Sequence, residues 1–347
     1  MLKTQGEMVL VGCGGAGVSI VNNLQGPLKE LGDGFSKISA EYIDSSLSNI
    51  KDVDHDEDNF HLIRSNCLTK DILGSGGLRR ENAADIVESI KEFVDKKQLT
   101  KPTLSTYYIV ISSASGGTGS VAAPLLVKNL LDRGLPTAVV LVGDSSNGQW
   151  TKNTLDTLAT YNSISKGCKK PLSIIYNDNM KSVGNTTDER SNFTDKEIFK
   201  NLSALSLFLS GENTSIDQKD MVRFFDPTEI DFDVKPGLYG TGVFVKDVNL
   251  PDHITPIGAR TITTPDISCD INLTGLTHYK AGTTDNNNVI SMFKGQFPIH
   301  IVSYANSFSI IEHELKEEIE TIRAAAERAT VDDISTDYKP DENGLVF

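Results

Sequence analysis

Three glycine-rich loops constrain this chain more than any other feature: GCGGAG at 12–17, GSGG at 74–77 and SGGTGS at 115–120, each following a strand-like run or heading a helical one. Glycine lets a backbone come close to a ligand, and such loops recur at the carboxyl ends of strands in parallel sheets wound with helices. The flanking periodicity agrees. Met8 to Val11 is a short apolar run, and Val18, Val21 and Leu24 then repeat at helical spacing. Tyr42 and Ile43 close a second strand; 82–96 reads as a helix with Ala84, Ile86, Ile90 and Val94 on one side. A strand at 107–112, a helix at about 121–133, a buried strand at 137–142 and another at 173–176 follow. The expected fold class is α/β: an N-terminal doubly wound, mostly parallel sheet with its ligand crevice outside the carboxyl ends of the strands.

Beyond that the grammar changes. DKEIFKNLSALSLFLSG, 195–211, reads as a central helix with hydrophobes on more than one face, the pattern of a helix buried between two bodies. After Lys235 come GLYGTGVFV, PIGARTITT, THYKAGTT and FPIHIVSYA, strand-like runs with one helical segment at about 285–294, the mark of a smaller α+β domain. A long amphipathic helix from Phe308 to about Ala329 carries Ile311, Leu315, Ile319, Ile322 and Ala326 along one stripe. The expected organisation is a nucleotide-binding domain at 1–194, the central helix with the following acidic loop and helix at 195–234, the α+β domain at 235–307, the C-terminal helix at 308–330 and an acidic tail at 331–347. Two readings fit the tail: a solvated, disordered end, or an acidic peptide that docks on a neighbouring copy.

Charge narrows the partners. Lys and Arg number 33 against 47 Asp and Glu, a net −14, so generic attraction to nucleic acid or anionic membrane is disfavoured and a nucleic-acid role needs a partner protein. The four cysteines, Cys13, Cys67, Cys168 and Cys269, are scattered and read as reduced intracellular thiols, and the histidines share no metal-ligand spacing. The first residues run straight into a strand and glycine loop, which leaves no room for a signal peptide, and no apolar run approaches the roughly 18 residues of a membrane span. A cytoplasmic protein is expected.

Amides at a helix N-terminus aim donors and the positive dipole end at phosphate oxygens. The first loop alone equally suits a dinucleotide cofactor, although Asp44 lies 27 residues beyond Gly17, further than the roughly 20 such a site uses. Three loops favour a nucleoside triphosphate held by a ring of them. SASGGTGSVAAP resembles the phosphate loop of the tubulin and FtsZ superfamily of polymerising GTPases, with Ser115 at its first glycine and the central Gly116, Gly117, Thr118, Gly119 and Ser120 intact. GCGGAGVSIVNNL is similar to that family's first nucleotide loop, giving Gly12, Gly14, Gly15 and Gly17; IDSSLSNI to its second, giving Ser45 and Ser46, with Asp44 where Asn is usual; LGSGGLRRENA to its third, giving Gly76 and Gly77.

That resemblance implies GTP or GDP as ligand, with Mg²⁺. In YNDN it places Asn177 on the guanine edge, and it assigns Asp195 to the same base; TDKE around Asp195 also reads as a helix-capping box. The loop GDSSNGQ departs from the family and offers Asn147 where a glutamate is usual. SIDQKDMVRFF resembles the loop and helix that reach the next subunit's nucleotide, with Asp217 and Asp220 as catalytic carboxylates and Ser215 in place of Asn; one Asp capping the following helix is the plainer alternative. The resemblance therefore implies hydrolysis at a head-to-tail contact, and a heterologous contact that does not close makes a filament. The long terminal helix and short acidic tail are most similar to the bacteriophage and plasmid tubulins (the PhuZ and TubZ branch). That branch implies a filament that moves or positions phage or plasmid DNA through a DNA-bound adaptor or phage-encoded cargo. Two other classes stay open on sequence: an NAD-dependent oxidoreductase and a nucleotide-binding polymer without turnover. Trp150 is expected to pack near the ribose loop.

Overall fold

The computed structural model describes residues 5–46, 49, 58–63, 83–97, 105–229, 233–271 and 273–328. Its strands are β1 (Glu7–Cys13), β2 (Lys37–Asp44), β3 (Phe60–Leu62), β4 (Thr106–Ser113), β5 (Thr137–Gly143), β6 (Leu172–Asp178), β7 (Leu238–Val245), β8 (Thr255–Thr263), β9 (His278–Thr283) and β10 (Ile299–Ala305). Its helices are α1 (Gly14–Lys29), α2 (Ala83–Lys96), α3 (Gly119–Asp132), α4 (Gly148–Cys168), α5 (Thr187–Ser210), α6 (Gln218–Phe225), α7 (Asn287–Met292) and α8 (Ser307–Arg328). The strands form one ten-stranded sheet in the order β3-β2-β1-β4-β5-β6-β7-β10-β8-β9. All neighbours from β3 to β7 are parallel, β10 is antiparallel to β7 and β8, and β8 and β9 are again parallel.

The alternation of a strand decides which helix covers which face. Met8 and Leu10 join a core with Val18 and Val21 of α1, Leu202, Leu205 and Phe208 of α5, and Met221 and Phe224 of α6. Val9 and Val11 face the other way, onto Ile86 and Ile90 of α2, Leu126 and Leu130 of α3, Leu158 of α4, and Phe308 and Leu315 of α8. With both faces covered, β5 is buried at every position and reads as a continuous apolar run. The α5 core also takes in Ile262 of β8 and Ile301 of β10. One helix thus packs on strands from both halves of the chain, as its all-round hydrophobicity predicts.

The helix does not start where its apolar residues do. It begins at Thr187, with Thr186 as N-cap in a reciprocal box with Glu189. The box expected at 194–197 is therefore absent, Asp195 lies about two turns inside the helix, and the 194/195 boundary falls within it. The strands after 235 do not stand apart, because β7 continues the sheet through Leu172↔Leu238. Helix α7 is shorter than the expected 285–294. Helix α4 was not visible in the sequence, because its buried face is largely polar, with Thr151, Asn153, Thr154, Thr157 and Ser165 beside Leu158 and Tyr161. Trp150, expected to pack, is 44% exposed on its first turn. Residues 331–347, Gly76 and Gly77 lie outside the described residues. No helix among the described residues is long and apolar enough to cross a membrane.

Candidate functional site

The strand order reverses at β1: β2 and β3 lie to one side, and β4 onward to the other. Ligand crevices form at such switch points, outside the carboxyl ends of the strands. There a pocket of about 210 Å³ is lined by Cys13, Gly14, Gly15 and Ala16, by Asp44, Ser45, Ser46 and Asn49, and by Ser113, Gly116, Gly117, Thr118 and Gly119. Three segments far apart in sequence meet in it, and eight of the expected ligand-binding residues line it.

Backbone geometry explains the glycines. Gly14 sits at φ +71, and a Cβ on it would stand 2.5 Å from the Gly119 nitrogen, so the first and SGGTGS loops touch only as glycines. Gly12 and Gly17 do not line the pocket: a Cβ on Gly12 would meet the Gly17 carbonyl at 2.6 Å, and one on Gly17 the Ile111 carbonyl at 2.3 Å. Their small size closes the turn and seats α1 on β4. At Gly116 a Cβ would meet nothing nearer than 3.9 Å, so this peptide faces open space.

The helix starts supply the electrostatics. Helices α4, α5, α6 and α7 all carry a side-chain N-cap, whereas α1 and α3, which begin at the pocket, carry none. Two dipole ends with uncapped amides on one small cavity make an anion site. Hydroxyls add to it, with Ser45 Oγ 2.6 Å from Thr118 Oγ1. Asp44 is the discordant group. Its carboxylate is 2% exposed and accepts from the Ser45 amide and from Asn49 Nδ2, each at 2.7 Å. Burial raises its pKa, against the lowering effect of the Asn49, Ser45 and Ser46 bonds.

The SGGTGS loop is held from below by α4. Asn153 Nδ2 donates to the Ser115 carbonyl at 2.8 Å and Thr157 Oγ1 to that of Ala114 at 2.8 Å, while Ser115 Oγ is 2.9 Å from Ser113 Oγ and Ser120 Oγ donates to the Gly117 carbonyl at 3.3 Å. Sequence reasoning missed Asn49, Asn153 and Thr157. The four-residue spacing of the last two was the available signal.

Asn147, Asn177 and Asp195 do not line this pocket. Asn147 caps α4, its side-chain Oδ1 accepting from the Trp150 amide at 3.0 Å. Asn177, near the end of β6, has a buried Nδ2 with no hydrogen-bond partner. A buried amide left unpaired is costly, and a ligand acceptor would remove that cost. Asp195 is half-buried with its carboxyl pKa raised by burial. Thr194 beside it bonds Asn179 Oδ1 at 3.0 Å and Ser182 Oγ at 2.8 Å, which ties this turn of α5 to the segment that follows β6.

A second constellation lies at the other end of the sheet. Asp217 Oδ1 accepts from the Asp220 amide and Asp220 Oδ2 from the Asp217 amide, both at 2.9 Å, so each carboxylate caps the other's residue at the start of α6. The capping alternative thus accounts for one oxygen of both residues. Tyr107 Oη donates to the Gln218 carbonyl at 2.8 Å, which places the pair beside the amino end of β4. Ser113, at its carboxyl end, lines the pocket. Six residues at about 3.3 Å each separate these sites by roughly 20 Å. The loop before the pair is shaped by Asn213, 5% exposed, whose Oδ1 accepts from the Ser215 and Ile216 amides at 2.9 and 2.6 Å.

Comparison with known proteins identifies the family and the fold. The sequence pattern of the Tubulin/FtsZ family, GTPase domain, matches residues 7–185. A phage tubulin-like protein of Pseudomonas phage PhiPA3 is 26% identical over 226 residues, 65% of this chain and 63% of the relative. Another, of Pseudomonas phage phiKZ, is 24% identical over 218 residues, 61% of this chain and 60% of the relative. The chain thus matches less than two thirds of the length of either. Among solved structures, the protofilament of TubZ from bacteriophage PhiKZ superposes with a TM-score of 0.73 at 21% identity, over 99% of this chain and 100% of that one. The phage tubulin PhuZ with GDP gives 0.72 at 20% identity, over 98% of each.

Proposed function

The chain belongs to the tubulin/FtsZ family, and from that premise we propose that it hydrolyses GTP to GDP and phosphate within a head-to-tail filament, one subunit completing the hydrolytic site of the next. One observation carries this reading: the acidic pair and the phosphate pocket sit at opposite ends of β4, so the pair is out of reach of its own pocket but faces outward at the end where another copy would stack. Solved relatives described as a protofilament and a filament support the assembly.

In this reading the amides of Gly14, Gly15, Gly116, Gly117 and Gly119, with Ser45, Ser46 and Thr118, hold the phosphates, Ser120, fully buried with its hydroxyl on the Gly117 carbonyl, braces the loop from within, and Asn177 and Asp195 face the guanine. An ionised Asp195 accepts from N1–H and the exocyclic amine of guanine; adenine offers no such donor pair. Asp44, Ser45 and Thr118, oxygen donors lining the pocket, would lie beside a Mg²⁺ ion bound with the nucleotide, which would supply neutralisation of phosphate charge. Asp217 of the incoming subunit, exposed at the start of α6, orients the attacking water; most of the remaining catalysis is positioning and charge stabilisation. Assembly then precedes chemistry. The filament moves or positions phage or plasmid DNA in a bacterial cytoplasm through an adaptor or phage-encoded cargo, since a net charge of −14 disfavours direct contact with nucleic acid.

The oxidoreductase reading has no support left beside the family match. A polymer without turnover is favoured only by the mutual capping of the acidic pair. One variant separates these: Asp217→Ala should bind GTP normally, lose phosphate release by about 100-fold and form longer-lived filaments. Loss of GTP binding, or wild-type turnover, would reject the assignment between subunits.

A further inference from the structure

We propose that Lys280 of β9 is a positioning residue for the acidic pair, clamping Asp220 so that the exposed Asp217 carboxylate is presented to the neighbouring subunit. The inference rests on the reading that the pair acts on the next subunit's nucleotide. The two carboxylates are chemically alike in sequence but unlike in the fold. Asp220 is the inner one, its side chain 14% exposed, and its Oδ2 accepts both the Asp217 amide at 2.9 Å and Lys280 Nζ at 2.5 Å. Asp217 is the outer one, exposed, with Oδ1 on the Asp220 amide and its carboxyl beside that of Asp220.

The clamp has a second jaw. Arg260 of β8 is 3% exposed; it donates from NH2 to the Asp220 carbonyl at 2.9 Å and lies 5.7 Å from the Phe224 ring centre. Arg260 and Lys280 are register partners in the parallel β8–β9 pair. Neighbouring strands therefore hold one residue by main chain and side chain together, and the first turn of α6 moves only as those strands move. The charged and titratable groups around Asp220 are Asp217 as the N-cap of its helix, Lys219 and Arg223 on the helix, Tyr107 on β4, Arg260 on β8, and His278 and Lys280 on β9. Burial raises the Asp220 carboxyl, but the Asp217 amide and the Lys280 ammonium outweigh it and hold the carboxyl below the ordinary carboxylate range. Asp220 is then a fixed anion and a poor base, which leaves the water-facing task to Asp217.

The test compares wild type, Lys280→Met and Lys280→Arg by phosphate release per pelleted subunit across pH, and by ¹³C titration of the Asp220 carboxyl in unassembled subunits. Removing the ammonium should cut turnover at neutral pH about tenfold, raise the acid-side midpoint by about one pH unit and raise the Asp220 midpoint likewise; arginine should restore both midpoints. His278 is common to all three proteins, so the shift between them reports Lys280. A Lys280→Met protein with wild-type midpoints in both measurements overturns the proposal. Asp217→Ala, run alongside, keeps the two claims apart: if it turns over normally the between-subunit reading fails, whereas a dead Asp217→Ala with an unshifted Lys280→Met rejects only the clamp. The carboxyl titration needs no polymer, so it decides the clamp even for a variant that does not assemble.

Discussion

Asp44 is the residue whose chemistry is least expected, a buried carboxylate in a pocket built for anions. A unit of phosphate charge about 4 Å away costs its ionised form about 1 kcal/mol at the dielectric of water and about 4 kcal/mol at that of a protein surface. Because burial already raises its pKa, protonation on acidification begins above the ordinary carboxylate value of about 3.9, and the charge conflict is relieved as pH falls through that range. GTP measured by calorimetry without Mg²⁺ should therefore bind more tightly as pH falls. Asp44→Asn should bind about tenfold more tightly at neutral pH and lose that pH dependence; an unchanged affinity would mean that Asp44 does not face phosphate. Asn177 gives an independent check. Asn177→Leu removes an unpaired buried amide, so the empty protein should be as stable as wild type or more so, while GTP binding weakens by about 1–2 kcal/mol. Equal loss of stability and affinity would place Asn177 in the core alone. The glycines were legible in sequence because backbone approach leaves few substitutes. Lys280 was not, since its partner Asp220 is 60 residues away and only the fold brings it near; Asn49 and Asn213 act on neighbours a few residues off, through turn geometry that no periodicity marks.

Elements followed the same division. Strands with both faces buried announce themselves as apolar runs, and β1, β4, β5 and β6 were readable to within two residues at each end. Helix α4 hides because its inner face works by hydrogen bonds, and the first two turns of α5 hide because they lie in water; the T-x-x-E signal at Thr186 was there to be read. Thr157→Val keeps the shape of α4 but strips the Ala114 carbonyl of a donor, so it should cost about 1–3 kcal/mol in denaturant unfolding and weaken GTP binding with it. Phe208, 1% exposed in the last turn of α5, joins a core with strands from both halves. Phe208→Ala should cost about 3–5 kcal/mol and lower the unfolding midpoint of both halves together. Separate transitions would show that α5 does not couple them.

At the scale of the molecule, one sheet carries the phosphate pocket at one end and the acidic pair at the other, with α5 and the Arg260–Lys280 strands fixing their relation. On the proposed function the two ends act on each other only between copies, so catalysis would be a property of the assembly, and loss of the γ-phosphate would weaken the contact that it had completed. The direct test is phosphate release from GTP across a protein concentration series, with light scattering recorded on the same samples. Both signals should stay near zero and then rise together above one threshold concentration. Turnover per molecule that is constant with concentration, with no polymer present, would contradict the account and return the protein to a monomeric nucleotide-binding enzyme.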